Sequence, residues 1–362
     1  MFGLLLLAMT SGSACAWQYD QRSQAGDLVA VSPDLQNLYR KTDHAESVAD
    51  YSMIYDHCRN VSGDRTRSPE DRQYARTLMS WAANRRGEAR SDQAGEMVRL
   101  QELDKAAELD SLALQDFETA IQLDGTRWRA HHNLAIHRAL QGDNAAAIQG
   151  FNRVVALKPD FPDAYFNRGE LLFRAGNFKD SIADYNKVIE LKPEDSAAFS
   201  GRAHALYATG KTEEALADYA KATQLSPQSV DALTEYADTC QALGKWKEAA
   251  TAYQQAMQLD GQNARVLQNA AWMMATCPDD FYRNGKSALS TAQKAVQLAS
   301  GVASAQTLDV LAAAQAASGD FASAQRSVAE ALRSTTDPSL RNELIMRSKL
   351  YERKRSYVQP KP

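Results

Sequence analysis

The sequence has few cysteines, few prolines and little sustained apolar character, and each shortage excludes something. Cys15, Cys58, Cys240 and Cys277 are too few and too widely spaced to form a disulfide framework in 362 residues. There is no Cys-x-x-Cys, no His-Glu-x-x-His and no recognisable Ser–His–Asp order, so the common metal and nucleophile signatures are missing. Runs of β-branched residues are scarce, whereas Ala, Leu, Gln, Glu and Arg are plentiful, which favours an all-helical chain. Lys and Arg number 41 against 45 Asp and Glu, so no basic excess exists to neutralise a phosphate backbone, and no nucleic-acid partner is expected. The apolar stretch of Leu4–Leu7, Ala8 and Met9 is too short to span a bilayer as a mature helix, and no other stretch is apolar enough to cross one.

That single apolar stretch reads as an export signal. Ala14-Cys15-Ala16 fits a small-x-small cleavage site that gives a mature start at Trp17. The other reading is cleavage before Cys15, with a lipid anchor on its sulfur. No Lys or Arg precedes the apolar run. The expected location is periplasmic or secreted, or membrane-anchored if Cys15 carries lipid.

What the chain has in quantity is a period. Gly142, Gly176, Gly210 and Gly244 are each 34 residues apart, and so are Pro159, Pro193 and Pro227. Phe151, Tyr185, Tyr219 and Tyr253 keep the interval, as do Ala147, Ser181, Ala215 and Ala249. Thirty-four residues is the length of a helix–turn–helix repeat. With slot one at Trp128, Pro162, Ser196 and Val230, each repeat has a small residue in slot eight, Gly in fifteen, small in twenty and an aromatic in twenty-four. Proline fills slot thirty-two, except in the fourth copy, which has Gly261. These residues resemble the tetratricopeptide repeat family. The resemblance implies an all-α, right-handed α-solenoid of antiparallel helix pairs, with small residues where paired helices cross.

Around these four regular repeats, 128–261, the chain divides as follows. A signal at 1–16 and a leader at 17–31 precede two degenerate units with a long helical insert at 32–127. In that segment Asn84-Arg85-Arg86-Gly87 is expected to end a helix, with the insert between Gly87 and Ala107 lengthening the helix that follows. Two divergent repeats occupy 262–337, the first with Pro278–Gly285 in place of the short turn. A capping helix and basic tail occupy 338–362. Leu340, Leu344, Ile345 and Leu350 are expected on the cap's apolar side, Arg341, Glu343, Arg347 and Lys349 on its polar side, and the tail is expected to fray.

Several apparent motifs dissolve in this register. Gly210-Lys211-Thr212 resembles the end of a phosphate-binding loop, but Ala205 stands where a glycine is needed and the segment is a repeat turn. His131, His132 and His137 share a helix without ligand spacing, and His57-Cys58 with His44 has no fixed spacing either. No cofactor, metal or catalytic set is expected. Cys240 falls in a core slot and reads as a buried small hydrophobe. A bond to Cys277 on the next first helix stays open.

The resemblance implies a binding groove lined by slots two, five, nine, twelve and thirteen of the first helices. On this chain those positions are Arg129, His132, Ile136, Asp163, Phe166, Glu170, Phe173, Arg174, His204, Tyr207, Asp231, Asp238, Arg265, Gln268 and Trp272. One subclass clamps acidic chaperone C-termini with Lys in slot five and Asn in slot nine. His132, Phe166, Ser200 and Thr234, with Ile136, Glu170, His204 and Asp238, depart from that pattern. The expected function is a non-catalytic scaffold holding a protein or peptide outside the cytoplasm. The alternative is an envelope polysaccharide or glycan handling factor whose groove rings stack on sugars. A third class, an enzyme within 17–127, lacks a visible catalytic set.

Overall fold

The computed structural model describes residues 31–299 and 303–361. The export signal, Cys15 and all but the last residue of the leader lie outside the described residues. Among the described residues there are seventeen α-helices, one short 3₁₀ turn and no strand. The chain divides into two compact units, with the boundary between Lys192 and Pro193.

In the first unit, α1 (Pro33–Lys41) and the turn Thr42–His44 precede α2 (Val48–Gly63). Next come α3 (Pro69–Arg99), α4 (Leu103–Leu123), α5 (Trp128–Leu140), α6 (Asn144–Leu157), α7 (Pro162–Arg174) and α8 (Phe178–Leu191). The second unit holds α9 (Ser196–Ala208), α10 (Thr212–Leu225), α11 (Val230–Ala242), α12 (Trp246–Leu259) and α13 (Ala264–Thr276). It ends with α14 (Gly285–Leu298), α15 (Ala305–Ala317), α16 (Phe321–Ser334) and α17 (Pro338–Glu352). Within each unit the helices form the consecutive antiparallel pairs of an α-solenoid.

The repeat glycines have one structural job. Gly142, Gly176, Gly210, Gly244 and Gly319 all sit at positive φ, between 68° and 94°. Each ends a first helix, and the amide of the next residue bonds back to the carbonyl five residues earlier. Asp143 N–H donates to Arg138 O at 2.9 Å, and Lys245 N–H to Cys240 O at 2.8 Å. This is a left-handed helix stop that a β-carbon would strain. The small slots then let paired helices close. Ala135 and Ala147 share a core with Phe151 and Ile136, and Ala237 and Ala249 share one with Tyr253 and Cys240.

Residues 84–87 do not end a helix: α3 runs through them to Arg99, and Gly87 is buried mid-helix. The register explains why. Arg86-Gly87-Glu88 repeats Arg168-Gly169-Glu170, slots seven to nine, so Gly87 is the small crossing residue rather than the turn. Its position confirms this, because a β-carbon there would lie 2.6 Å from the ring of Phe117, the slot-twenty-four aromatic of its own unit. The insert therefore lengthens both helices, and the turn falls at Gln101, φ 61°. Val98, Leu100 and Leu103 stand exposed at the tip of this hairpin.

Two expectations about the C-terminus are also corrected. On α17 the buried residues are Leu344, Arg347 and Tyr351, while Ile345 is exposed. The tail does not fray either. Lys354 takes φ 51° and turns the chain back. Ser356 Oγ–H then donates to Ala316 O at 2.8 Å, and Gln359 N–H to Thr276 O at 2.8 Å. The tail thus supplies a donor to the Thr276 carbonyl at the end of α13 and a second donor to Ala316 O of α15, which also accepts from Gly319 N–H. Cys58, Cys240 and Cys277 are free, buried thiols, so no 240–277 bond forms. Burial pushes the Cys58 thiol up to about 12 and Cys240 to about 11.

Candidate functional site

Slots five, seven and nine of the first helices decide what each repeat presents. Slot seven is structural. Arg168 donates two bonds to Asp184 (2.8 and 2.6 Å), and Arg202 does the same to Asp218 (2.7 and 2.6 Å). Arg86 and Asp116 form the same pair in the long hairpin, where Arg90 adds a third arm at 2.6 Å. In the first and fourth regular repeats these slots hold Leu134 with Gly150 and Tyr236 with Ala252. These arginines fork onto buried carboxylates and are not free for a partner.

Slot nine is tied to the core aromatic behind it. Tyr185 Oη–H donates to Glu170, and Tyr253 Oη–H to Asp238. The Tyr219 ring packs edge-on against His204 at 5.4 Å. Where slot nine is apolar, at Ile136, the aromatic is Phe151, which has no hydroxyl to satisfy. Burial, with Glu170 close by, drives the Tyr185 phenol well above its usual range.

In the first unit the structure moves three predicted groove residues inward, Ile136 into the core beside Phe151 and two more into aromatic surroundings. Phe166 is buried against Tyr185 at 5.8 Å, and His132 is buried between Phe151 and Phe161 at 5.6 and 5.0 Å. They are core residues, because the neighbouring aromatics offer more contact than the open face. Burial holds the His132 imidazole down at about 4, hence neutral near pH 7. Arg129 lies over Trp128 at 4.6 Å, Phe173 half-buried against Phe178, and Arg174 is exposed. Asp163 pairs with Lys192 at 2.8 Å. The three histidines of α5 reach different places: His131 to Gly125 O at 3.1 Å, His132 into its ring cage, and His137 to Ser91 Oγ at 2.9 Å. At the other cluster, Cys58 is buried, His57 is 3.9 Å from Asp34 and His44 is exposed.

The second unit brings its groove residues together. His204 is 3.6 Å from Glu235, Arg265 pairs with Glu235 and lies 3.7 Å from Asp238, and Asn269 donates to both Asp238 oxygens (2.9 and 3.0 Å). Burial pushes the Glu235 carboxyl up, but His204 and Arg265 outweigh it and hold it below its usual value. Tyr207 is open, 47% exposed, and Asp231 lies at the exposed start of α11. Gln268 accepts from Thr307 Oγ at 2.9 Å. Trp272 is half covered by Tyr357 of the tail, ring centres 5.8 Å apart. This row of residues ends at a cavity of about 430 Å³ walled by α11, α13, α15 and α17.

Sequence reasoning missed two residues there. Asp309 occupies slot five of the last repeat, the same slot as Gln268, so carrying the slots on from Gly319 would have found it. Arg347, read as part of a solvated face, is 2% exposed and pairs with Asp309 at 2.7 Å. Its guanidinium lies 5.2 Å from the centre of the Trp272 ring and 5.3 Å from that of Tyr357. No sequence period flags it, because α17 stands outside the repeats.

Comparison with known proteins agrees with this architecture. Tetratricopeptide repeat family profiles match residues 132–196 and 206–272. No curated protein matches. Among solved structures, a tetratricopeptide repeat protein from Parabacteroides merdae ATCC 43184 is 16% identical, covering 74% of this chain and 98% of its own, with a TM-score of 0.50. The Pseudomonas aeruginosa pilF structure is 17% identical over 61% of this chain and 94% of its own, TM-score 0.49. YrrB, described as a TPR protein with an unusual peptide-binding site, is 18% identical over 50% and 90%, TM-score 0.41. No helix of the described residues is long and apolar enough to cross a membrane. The glycine stops, the small-residue crossings and the family matches agree, and across residues 132–272 the chain is a tetratricopeptide repeat protein.

Proposed function

We propose that this protein is a non-catalytic scaffold that holds an extended segment of another protein against the first helices of its second unit, outside the cytoplasm. Tetratricopeptide arrays typically act as protein-interaction scaffolds. The observation that carries the reading is the linked row His204–Glu235–Arg265–Asp238–Asn269, which fixes polar side chains of three successive first helices before any partner arrives. A surface already ordered loses less entropy on binding. Export is supported by the Leu4–Leu7 stretch and the Ala14-Cys15-Ala16 site, with cleavage after Ala16 or lipid on Cys15 as its two forms. The glycan reading has less support, because Phe166 is buried and Trp272 is half covered, leaving Tyr207 as the open ring.

The test places a photoreactive phenylalanine at Tyr207 and, separately, at the exposed second-helix residue Gln258, in the native cell. Crosslinks to one defined polypeptide from position 207 and none from 258 are expected. Equal capture from both positions, or capture of glycan alone at 207, would overturn the proposal.

A further inference from the structure

The cavity at the end of the second unit's groove has a charge that its own residues do not balance. Four carboxylates line it, those of Asp238, Asp309, Asp337 and Glu343, against one guanidinium, Arg347. One arm of that guanidinium, Nη2, is committed, while its buried Nε has no partner. The arm pairs with Asp309 Oδ2 at 2.7 Å and Glu343 Oε2 at 2.9 Å, and the guanidinium has Trp272 and Tyr357 on its flanks. Asp238 is also satisfied, by Tyr253 and Asn269. Asp309 is not: the residue is 5% exposed and its Oδ1 has no hydrogen-bond partner. A buried carboxylate oxygen with no donor is costly, and such an atom beside a cavity marks a place for one. Burial holds the Asp309 carboxyl at about 6 despite Arg347, as expected of a charge that is only partly neutralised.

The carboxylates are spread around the space rather than gathered at a point. Among the described residues no three His, Cys, Asp or Glu side chains stand close enough to hold a metal ion. The arrangement suits an organic cation that enters on a stem. A compact ammonium with three donors can reach single oxygens on separate walls, whereas a planar guanidinium is suited to a paired face; Arg347 itself meets Asp309 and Glu343 through one nitrogen, one oxygen of each. We propose that the cavity receives the lysine side chain of a peptide lying in the groove, its ammonium donating to the Asp309 and Glu343 carboxylates. This rests on the peptide-scaffold reading and names the residue that such a peptide must carry.

The probe is a library of randomised octapeptides with blocked ends, selected on the full-length protein and on its Asp309→Asn and Glu343→Gln variants. Lysine at one fixed position should be enriched about tenfold over leucine, as one charge-assisted bond implies, and the enrichment should collapse on both variants. Glu343 has a side chain 55% exposed, so its variant keeps the test valid if Asp309→Asn fails to fold. Peptides enriched without lysine would overturn the inference and leave the scaffold reading standing. Lysine enrichment that survives in both variants, or equal enrichment of arginine, would also overturn it. No enrichment of any peptide would overturn both.

Discussion

Gly87→Ala sets two effects of known size against each other. Glycine inside a helix costs about 1 kcal/mol relative to alanine, so propensity alone predicts that the substitution stabilises. The structure predicts the opposite. A β-carbon at Gly87 would meet three ring atoms of Phe117 at 2.6, 2.9 and 3.0 Å, and that ring is fully buried. A rigid, enclosed ring cannot swing aside as an exposed side chain would, and overpacking of this kind costs about 1–3 kcal/mol. The net expectation is a loss of about 1 kcal/mol. Gly169 is the internal control, since it occupies the same slot with its nearest contacts at 3.3 Å, and Ala203 and Ala237 fill that slot in the next repeats. Gly169→Ala should therefore be neutral or stabilising by up to about 1 kcal/mol. Urea unfolding followed by far-UV circular dichroism measures both, and hydrogen exchange in α3 and α4 localises the loss. The reasoning fails if Gly87→Ala stabilises as much as Gly169→Ala does. It also fails if Phe117→Leu, which makes room, does not lessen the cost of Gly87→Ala in the double mutant.

Two further outcomes follow from buried charges. Arg168→Leu leaves Asp184 buried without its partner and should cost about 3–5 kcal/mol, whereas Arg168→Leu with Asp184→Ala should recover most of it, since Leu134 and Gly150 already show an apolar solution. Equal urea midpoints for the single and double variants would contradict this. His132 and Asp309 should make the two units respond oppositely to acid. His132 is held down from 6.5 to about 4, so the unfolded chain takes its proton first and stability falls as pH drops through that window. Asp309 is held up from 3.8 to about 6, so the folded chain takes its proton first and stability is regained over a similar range. Each effect is worth about 3 kcal/mol. Hydrogen exchange, corrected for intrinsic rates, should show protection falling in α5 and rising in α15 between pH 6.5 and 4, and a parallel fall in both would refute the assignment.

The regular repeats were legible because their determinants are local: a positive-φ glycine, a small crossing residue and an aromatic, each at a fixed interval. Gly87 misled because two slots of the motif accept glycine for different reasons, one for φ and one for space. The Arg-Gly-Glu triplet shared with residues 168–170 was the signal that separates them. Groove residues were legible as positions but not as orientations. Slot five projects His132 and Phe166 into aromatic cages but sets Gln268 and Asp309 beside the cavity, and the difference lies in neighbours that no single slot records. Arg347 and the tail were not legible, since their partners lie in α13 and α15, distant in sequence and outside any period.

The bond from the core tyrosine to slot nine makes inside and outside change together. Replacing Glu170 or Asp238 to alter what the groove accepts would strand a phenol in the interior, and replacing Tyr185 or Tyr253 would release a carboxylate at the recognition face. Anyone re-targeting this array must therefore exchange two positions fifteen residues apart as one unit. Phe151 with Ile136 already supplies the uncharged version of that cassette.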